Sequence, residues 1–319
     1  MTGSPQISFL VPVYNGEPYL AHCLDTILRQ DCRNAEIVVC DDGSTDGSWE
    51  LIQQYAAREP RIRALRNPAN LGLQGNFNQC LRAARGEFIK YVLQDDFLAA
   101  PDAARRQAGV LESNPEVALV SSASLIVDAQ SRTIALRREF KAGLTRGQDA
   151  ILRCMAWASN LLGEPTLVMF RRGQSGTGFD ERYRQLLDLE FCMRLLEKGQ
   201  LYYFSEPLSA FRRHEAQATR RNSRNDAIER DQMLLLREFM ARPWLAEVKQ
   251  KHWIFGQIYG LRRNREFRAS ELRTQLLRRL GWPRYYLFWQ FRRIGSPVRK
   301  LQRWLRLRSW MRRQGAPYA

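Results

Sequence analysis

Glu36-Ile-Val-Val-Cys-Asp-Asp-Gly-Ser-Thr-Asp46 packs three instructions into eleven residues. An apolar run of strand length ends abruptly in two adjacent carboxylates, Asp41 and Asp42. Gly43-Ser-Thr then turns the chain, and Asp46 stands where it can cap a following helix through about Ala57. The same grammar recurs at Glu87-Phe-Ile-Lys-Tyr-Val-Leu-Gln-Asp-Asp96, where a strand pattern ends in Asp95 and Asp96. Carboxylates at the C-terminal ends of strands in an open α/β sheet lie in the crevice where ligands bind. Two neighbouring acids also repel each other unless a cation or hydrogen-bond donors balance them.

The flanking chain repeats the alternation. Ile7–Val13 reads as a strand closed by Asn15-Gly16, and Tyr19, Leu20, Cys23, Leu24, Ile27 and Leu28 recur at helical spacing. Arg61–Leu65 is a third short strand, Asn67–Gly75 a loop rich in Asn, Gly and Pro, and a helix through Ala84 leads to the strand Glu87–Leu93. Strands and helices alternating at this length predict parallel β-α-β units and an α/β sheet covered on both faces. Beyond residue 100 the spacing predicts a helix near 101–113, strands near 116–121 and 124–128, and a helix near 147–157. A strand near 165–170, a helix near 187–199 and short strands near 201–204 and 208–211 follow.

The formal net charge of +17 over 319 residues suggests a polyanion partner until its distribution is examined. Residues 1–215 carry 25 basic and 26 acidic side chains, whereas residues 216–319 carry 25 and 7. The basicity therefore belongs to the C-terminal third, and the sequence divides into an α/β domain over 1–215 and a basic extension over 216–319. Six cysteines without C-x-x-C spacing read as buried thiols in a reducing compartment, with no zinc site. No signal peptide is visible and no segment approaches 18 consecutive apolar residues, so a cytoplasmic chain without a membrane span is expected.

The chemistry-bearing residues fall on the turns. Pro12-Val-Tyr-Asn15, with Glu17 beyond it, follows the first strand. Asp41-Asp42 can accept from a base N–H or a ribose hydroxyl while Gly43 lets the backbone approach. Asn70-Leu-Gly72 through Asn76 adds amides and glycines, and Gln94-Asp95-Asp96 adds hard oxygen donors suited to Mg2+ or Mn2+ and to diphosphate. In this order and spacing the four stretches resemble the family 2 glycosyltransferases. The resemblance extends to Trp157…Asn160-Leu-Leu-Gly-Glu-Pro165, to Gly178-Phe-Asp180 before Leu187-Asp188-Leu-Glu-Phe-Cys-Met-Arg194, and to Phe211-Arg-Arg-His214. It covers roughly residues 6–215. Two positions depart from the family pattern: Leu93 stands where a first metal-motif acid is frequent, and Leu187 replaces the Glu of a catalytic Glu-Asp pair.

The resemblance implies a GT-A (Rossmann-like) fold with a mixed, mostly parallel sheet flanked by helices. It also implies inverting transfer of a sugar from a nucleotide-diphospho-sugar, of UDP or dTDP type, with a divalent cation as cofactor. Asp188 takes the place of the base; alone it would read as a first-turn acid of its helix. Pro12, Tyr14, Asn15, Glu17, Asp41, Asp42, Asn70, Gly72, Asn76, Gln94 and Asp95 take donor-binding places, and Asp95, Asp96 and His214 take the metal places. Arg194 reads equally well as a structural ion pair or a diphosphate contact, and Glu190, on a different face of the helix from Asp188, reads as structural.

The extension reads as amphipathic helices. Leu272, Leu276 and Leu280 recur every fourth residue, Val298, Leu301, Trp304 and Leu305 alternate with arginines, and Trp244, Trp253, Trp282, Trp289, Trp304 and Trp310 cluster here. Apolar stripes opposite arginine predict helices lying on an anionic membrane surface, with packing onto the catalytic domain as the alternative near 224–260. The expectation is a peripheral enzyme using a saccharide or lipid-linked acceptor for the cell envelope, with no nucleic-acid partner. The rival readings are a nucleotidyltransferase on the same fold, for which Val11–Gly16 lacks the Gly-rich, basic phosphate loop, a non-catalytic saccharide-binding relative, and a nucleic-acid binder using the Arg-rich tail.

Overall fold

Seven consecutive buried residues, Ile7–Val13, form β1, which pairs in parallel with β2 (Ala35–Asp41) on one side and β4 (Phe88–Tyr91) on the other. β2 pairs in parallel with β3 (Ile62–Arg66). Burial on both faces explains why β1 and β2 are continuous apolar runs rather than alternating ones. The crossovers are the helices α1 (Glu17–Leu28), α2 (Ser48–Arg58) and α3 (Gly72–Ala83), and α1 buries Leu20, Cys23, Leu24 and Ile27. These relationships come from a computed structural model that describes residues 6–32, 34–215, 217, 227–249 and 252–280.

The sheet extends through β5 (Phe97–Leu98), β6 (Val117–Val127), β7 (Thr133–Arg137), β8 (Gly143–Thr145), β9 (Met169–Arg171) and β10 (Gln200–Arg212). Its order is β3-β2-β1-β4-β9-β6-β10-β5, with β7 on β6 and β8 on β10. The long ladders are parallel; the short strands β5, β7, β8 and β9 pair antiparallel. Three further helices follow along the chain: α4 (Ala103–Ser113), α5 (Gly147–Trp157) and α6 (Leu187–Leu196).

The structure corrects several boundaries. The two strands expected near 116–128 are one, β6. Those expected near 201–204 and 208–211 are also one, β10, whose register shifts around Pro207. Proline cannot donate to a ladder, so Pro207 reads as a break, yet a bulge accommodates it. The strand expected near 165–170 begins as a 3-10 turn over Pro165–Leu167, and α6 stops at Leu196.

The chain divides into two compact units: residues 1–147, 162–181 and 187–214 form one, and residues 148–161, 182–186 and 215–319 the other. In the second unit lie α7 (Ala227–Met240), α8 (Pro243–Ala246), α9 (His252–Gly260), α10 (Arg265–Ala269) and α11 (Glu271–Leu280). Fully buried Asp231 on α7 accepts from the backbone N–H groups of Arg184, Gln185 and Leu186 at 2.8, 2.5 and 3.0 Å. α11 packs against α9, burying Leu276, Leu280 and Trp253, and Arg279 lies 5.3 Å over the Trp253 ring. The Leu272-Leu276-Leu280 stripe, expected to face a membrane, thus turns its last two leucines into the unit's own core, because α9 supplies the apolar partner. The Val298–Leu305 stripe and Trp282, Trp289, Trp304 and Trp310 lie outside the described residues. Among the described residues no helix is long and apolar enough to cross a membrane. All six cysteines are free thiols, five of them buried.

Candidate active site

The C-terminal ends of β1, β2 and β4 carry most of the residues singled out in the sequence. Pro12 pairs with Cys40 in the β1–β2 ladder, beyond the point where β4 has left β1. Asn15 adopts the left-handed conformation (φ 51°), which asparagine tolerates better than most residues. Its backbone N–H donates to Ser44 Oγ at 3.0 Å, and its Oδ1 accepts from the Thr45 N–H at 2.8 Å. Glu17 and Asp46 cross-bond the same two turns. The Gly47 N–H donates to Glu17 Oε2 at 2.9 Å, and the Glu17 N–H to Asp46 Oδ2 at 3.2 Å. Asp46 also accepts from the Ser48 N–H at the start of α2. Asn15 and Glu17 thereby lock the β1–α1 and β2–α2 turns together.

The two carboxylates of the first acidic pair have different surroundings. Asp41 is fully buried, with Arg66 Nε 3.1 Å from its Oδ2 and the Ser44 N–H donating to both oxygens. Asp42 accepts on Oδ1 from Asn67 Nδ2 and from the Leu71 N–H, both at 2.8 Å. Asn67 Nδ2 also donates to Asn76 Oδ1, and Asn76 Nδ2 donates to the Val13 and Cys40 carbonyls, so buried Asn76 fastens the ends of β1 and β2. Asn70 Oδ1 accepts from the N–H of Gly72, which takes φ 75° and so favours glycine.

After β4, Gln94 and Tyr14 exchange two hydrogen bonds: the Tyr14 N–H donates to Gln94 Oε1 (2.8 Å) and Gln94 Nε2 donates to the Tyr14 carbonyl (3.0 Å). The Tyr14 side chain is left exposed. Asp95 and Asp96 then point to different environments. Asp95 Oδ2 lies 2.9 Å from His214 Nε2, with both side chains still partly open to solvent, and the His214 ring packs 4.8 Å from Tyr19. Asp96 is buried. Its Oδ2 accepts from Thr166 Oγ1 at 2.7 Å and its Oδ1 from the Arg212 N–H at 3.0 Å. Burial, and then the Asp95 charge, push the Asp96 carboxyl well above the usual range.

Arg212 joins these parts. It is almost fully buried, and it donates to the carbonyls of Asp95, Asp128 and Ala129 and to Ser131 Oγ. Its guanidinium lies 4.6 Å over the Tyr19 ring and 3.2 Å from His22 Nδ1. Burial, and then the Arg212 charge, hold the His22 imidazole below its ordinary value. Thr166, Asn67 and Ser44 are organising residues that the sequence reading does not single out. Each lies within or beside a quoted stretch, but the side-chain bonds that give it its place, Thr166 to Asp96, Asn67 to Asp42 and Ser44 to the Asn15 N–H, reach residues distant in the chain.

Asp188 opens α6, half-buried, with its Oδ1 accepting from the Leu189 N–H at 2.7 Å. Glu190 is buried and ion-paired with Arg194, which also donates to the Gly178 carbonyl, so both read as structural. Glu164 pairs through both oxygens with Arg137. Burial alone would raise the Glu164 carboxyl, yet the Arg137 charge and hydrogen bonds bring it below the usual range.

A divalent cation needs open oxygen donors, and the donor set allows one only in part. Among the described residues, no group of three or more His, Cys, Asp and Glu side chains gathers as a cage. Asp96 has both oxygens committed and the Gln94 amide is taken by Tyr14. Asp95 with His214 remains, a pair that suits a cation whose other ligands come from a diphosphate and water.

Comparison with known proteins bears on the arrangement. The family model for Glycosyl transferase family 2 matches residues 8–173. The uncharacterized protein MT1568 of Mycobacterium tuberculosis (strain CDC 1551 / Oshkosh) is 34% identical over 235 residues, covering 68% of this chain and 72% of that protein. The uncharacterized glycosyltransferase EpsJ of Bacillus subtilis (strain 168) is 41% identical over 96 residues, 30% of this chain and 28% of its own length. Among solved structures, S. aureus TarS 1-349 in complex with UDP-GlcNAc aligns with TM-score 0.63 at 19% identity, covering 83% of this chain and 73% of that one. The mannosyltransferase PcManGT from Pyrobaculum calidifontis, in complex with GDP-Man and Mn2+, aligns with TM-score 0.57 at 19% identity, covering 94% and 84%. At that identity the likeness is one of fold.

Proposed function

The chain belongs to glycosyl transferase family 2, and from that membership we propose an inverting enzyme that moves a sugar from a UDP- or dTDP-linked donor to a saccharide or lipid-linked acceptor. The observation that carries this reading is the placement of Asp42 and the Asp95–His214 pair just beyond the C-terminal ends of β2, β4 and β10, the first two flanking β1, held by the Asn67, Gln94 and Arg212 networks. Nucleotide sugars bound to the TarS and PcManGT structures support the donor class. Asp42 Oδ2, which neither Asn67 nor Leu71 uses, accepts from the base or ribose. Asp41, tied to Arg66 and Ser44, acts by shaping that turn. Tyr14, exposed on its Gln94 clamp, covers the nucleoside.

Asp95 and His214 would hold a Mn2+ or Mg2+ ion, whose charge would offset that developing on the departing diphosphate. Asp96, turned toward Thr166 and the Arg212 N–H, keeps the Asp95 backbone in place instead of reaching the ion itself. Asp188 takes the proton of the acceptor hydroxyl as it attacks the anomeric carbon opposite the leaving group; one carboxylate suffices, so Leu187 in the neighbouring position is compatible with the chemistry. The basic composition of residues 216–319 supports a peripheral site on the cytoplasmic face of a membrane, and an envelope glycan or glycolipid is the product that fits that location.

The test is a thermal-shift panel of nucleoside diphosphates and nucleotide sugars, with and without Mn2+, on the wild type and Asp95→Ala. Stabilisation by at least one nucleotide that grows with Mn2+ and is lost in Asp95→Ala is expected. A wild type that no member stabilises, or an Asp95→Ala protein with an unchanged metal response, overturns the assignment.

A further inference from the structure

The N-terminal edge of the sheet, opposite the carboxylates, holds a cleft of about 550 Å³ lined by Gln6, Asn34, Arg85, Glu87 and the run Arg171–Gln174. Gln6 and Tyr14 stand at opposite ends of β1. Seven strand residues at about 3.3 Å each put the two edges roughly 20 Å apart. The cleft is therefore separate from the donor crevice.

Three arginines and one glutamate line it, and the arginines differ in what they have left to give. Arg171 is spent: its guanidinium donates to the carbonyls of Val117, Leu111 and Asn114. Arg172 uses Nε on the Gly86 carbonyl at 2.9 Å, and among the described residues its two terminal nitrogens meet no acceptor. The Arg85 guanidinium meets no carboxylate among the described residues either; only its backbone N–H is engaged, by Glu36 Oε1. Glu87 is the single acid of the lining, so the cleft carries a net positive charge.

The cleft is also built rather than incidental. The Arg85-Gly86-Glu87 loop is clamped from one side by Glu36 and Ser8, since Glu36 Oε1 accepts from the Ser8 hydroxyl and the Gly86 N–H donates to Ser8 Oγ at 2.8 Å. From the other side the Arg172 N–H donates to the Glu87 carbonyl at 2.8 Å. A Cβ on Gly86 would stand 2.6 Å from the Ser8 nitrogen, so the loop can close this tightly only with glycine there. Gln174 Oε1, beside the cleft, is buried and has no hydrogen-bond partner among the described residues.

We propose that this cleft is a second ligand site, which takes a phosphorylated saccharide. Two planar guanidiniums with open N–H groups match the oxygens of a phosphate ester. The amide side chains of Asn34 and Gln174 match hydroxyl groups, and the volume lies in the range of small-molecule sites. The inference does not depend on the donor assignment at the other edge.

Isothermal titration of the full chain with glucose 1-phosphate at fixed ionic strength tests it, with inorganic phosphate as the comparison. Two variants address the cleft alone. Arg85→Ala removes an open guanidinium, and Gly173→Glu adds a carboxylate at a position where a Cβ meets no atom within 4 Å. Binding tighter than that of inorganic phosphate, weakened about tenfold or more in each variant, is expected. The thermal-shift response to nucleoside diphosphates should stay as in the wild type. Equal affinity in all three proteins would move the anion to the basic C-terminal region and overturn the proposal. So would an absence of binding, or an affinity for inorganic phosphate equal to that for glucose 1-phosphate.

Discussion

Replacing Lys90 with methionine should make the protein more stable near neutral pH and leave it nearly unchanged in alkali. Lys90 lies in the middle of β4, fully buried, with its Nζ donating to the Thr166 carbonyl at 2.7 Å. Burial pushes its amine down from 10.5 to about 7. The nearest acid in the same network is Asp96, reached through the Thr166 hydroxyl. Between pH 7 and 10.5 the unfolded chain holds a proton on Lys90 that the native chain has lost. Unfolding free energy therefore rises with pH across that window, by at most about 1.4 kcal/mol per unit. Below pH 7 both states are protonated and the whole cost, about 5 kcal/mol, is present.

Methionine matches the length of the lysine stem and carries no charge. The substitution gives up one hydrogen bond, worth about 1 kcal/mol, but the Thr166 carbonyl keeps Ser209 Oγ as a donor at 3.0 Å. The balance at pH 6 favours Lys90→Met by about 4 kcal/mol, and by pH 9.5 the two proteins should agree within about 1 kcal/mol. Urea unfolding of both proteins from pH 6 to 9.5 measures the difference directly, because groups that titrate alike in the two proteins cancel. A difference that does not change with pH would refute the assignment of a buried, proton-losing Lys90.

Two further outcomes follow from single carboxylates. Asp188→Asn keeps an oxygen for the Leu189 N–H, so nucleotide affinity should stay within about twofold while the transfer rate falls by about 10²–10⁴; a variant retaining more than a tenth of the rate would remove Asp188 from the chemistry. Asp231→Ala strips three backbone N–H groups of their acceptor, which should cost about 3 kcal/mol in urea unfolding and speed hydrogen exchange at residues 184–186; unaltered exchange there would contradict the bonding.

The parts of this molecule legible in the sequence are those whose cause is local. Ile7–Val13 and Glu36–Cys40 are recognisable as strands because burial on both faces demands continuous apolar runs, and the acidic pairs Asp41-Asp42 and Asp95-Asp96 are visible because two adjacent carboxylates at the end of such a run repel each other unless something balances them. What each carboxylate does is not local. Asp41 and Asp42 are neighbours in sequence, yet Arg66 claims one while Asn67 and Leu71 claim the other. Asp95 and Asp96 separate in the same way: His214 lies 119 residues from the first, and Thr166 lies 70 and Arg212 116 from the second. β5, β7 and β8, two to five residues long, are too short to display alternation. The Leu272-Leu276-Leu280 stripe shows the converse limit, since helical periodicity reveals that a face is covered but not by what; here α9 covers it.

The split between Asp95 and Asp96 has a mechanistic consequence. Leu93 removes an acid that is frequent in the family's metal motif, and the structure removes a second by turning Asp96 inward. A site with one open carboxylate and one imidazole holds a cation weakly by itself, because a divalent ion of this kind is satisfied only by several oxygens. On the proposed reading the diphosphate would supply much of the coordination. Metal and nucleotide should bind with strong mutual dependence, each tightening the other by the same factor. On the proposed reading nucleotide and metal would bind together rather than metal first, at a site where Arg212 holds the Asp95 carbonyl and the Asp96 carboxyl at once.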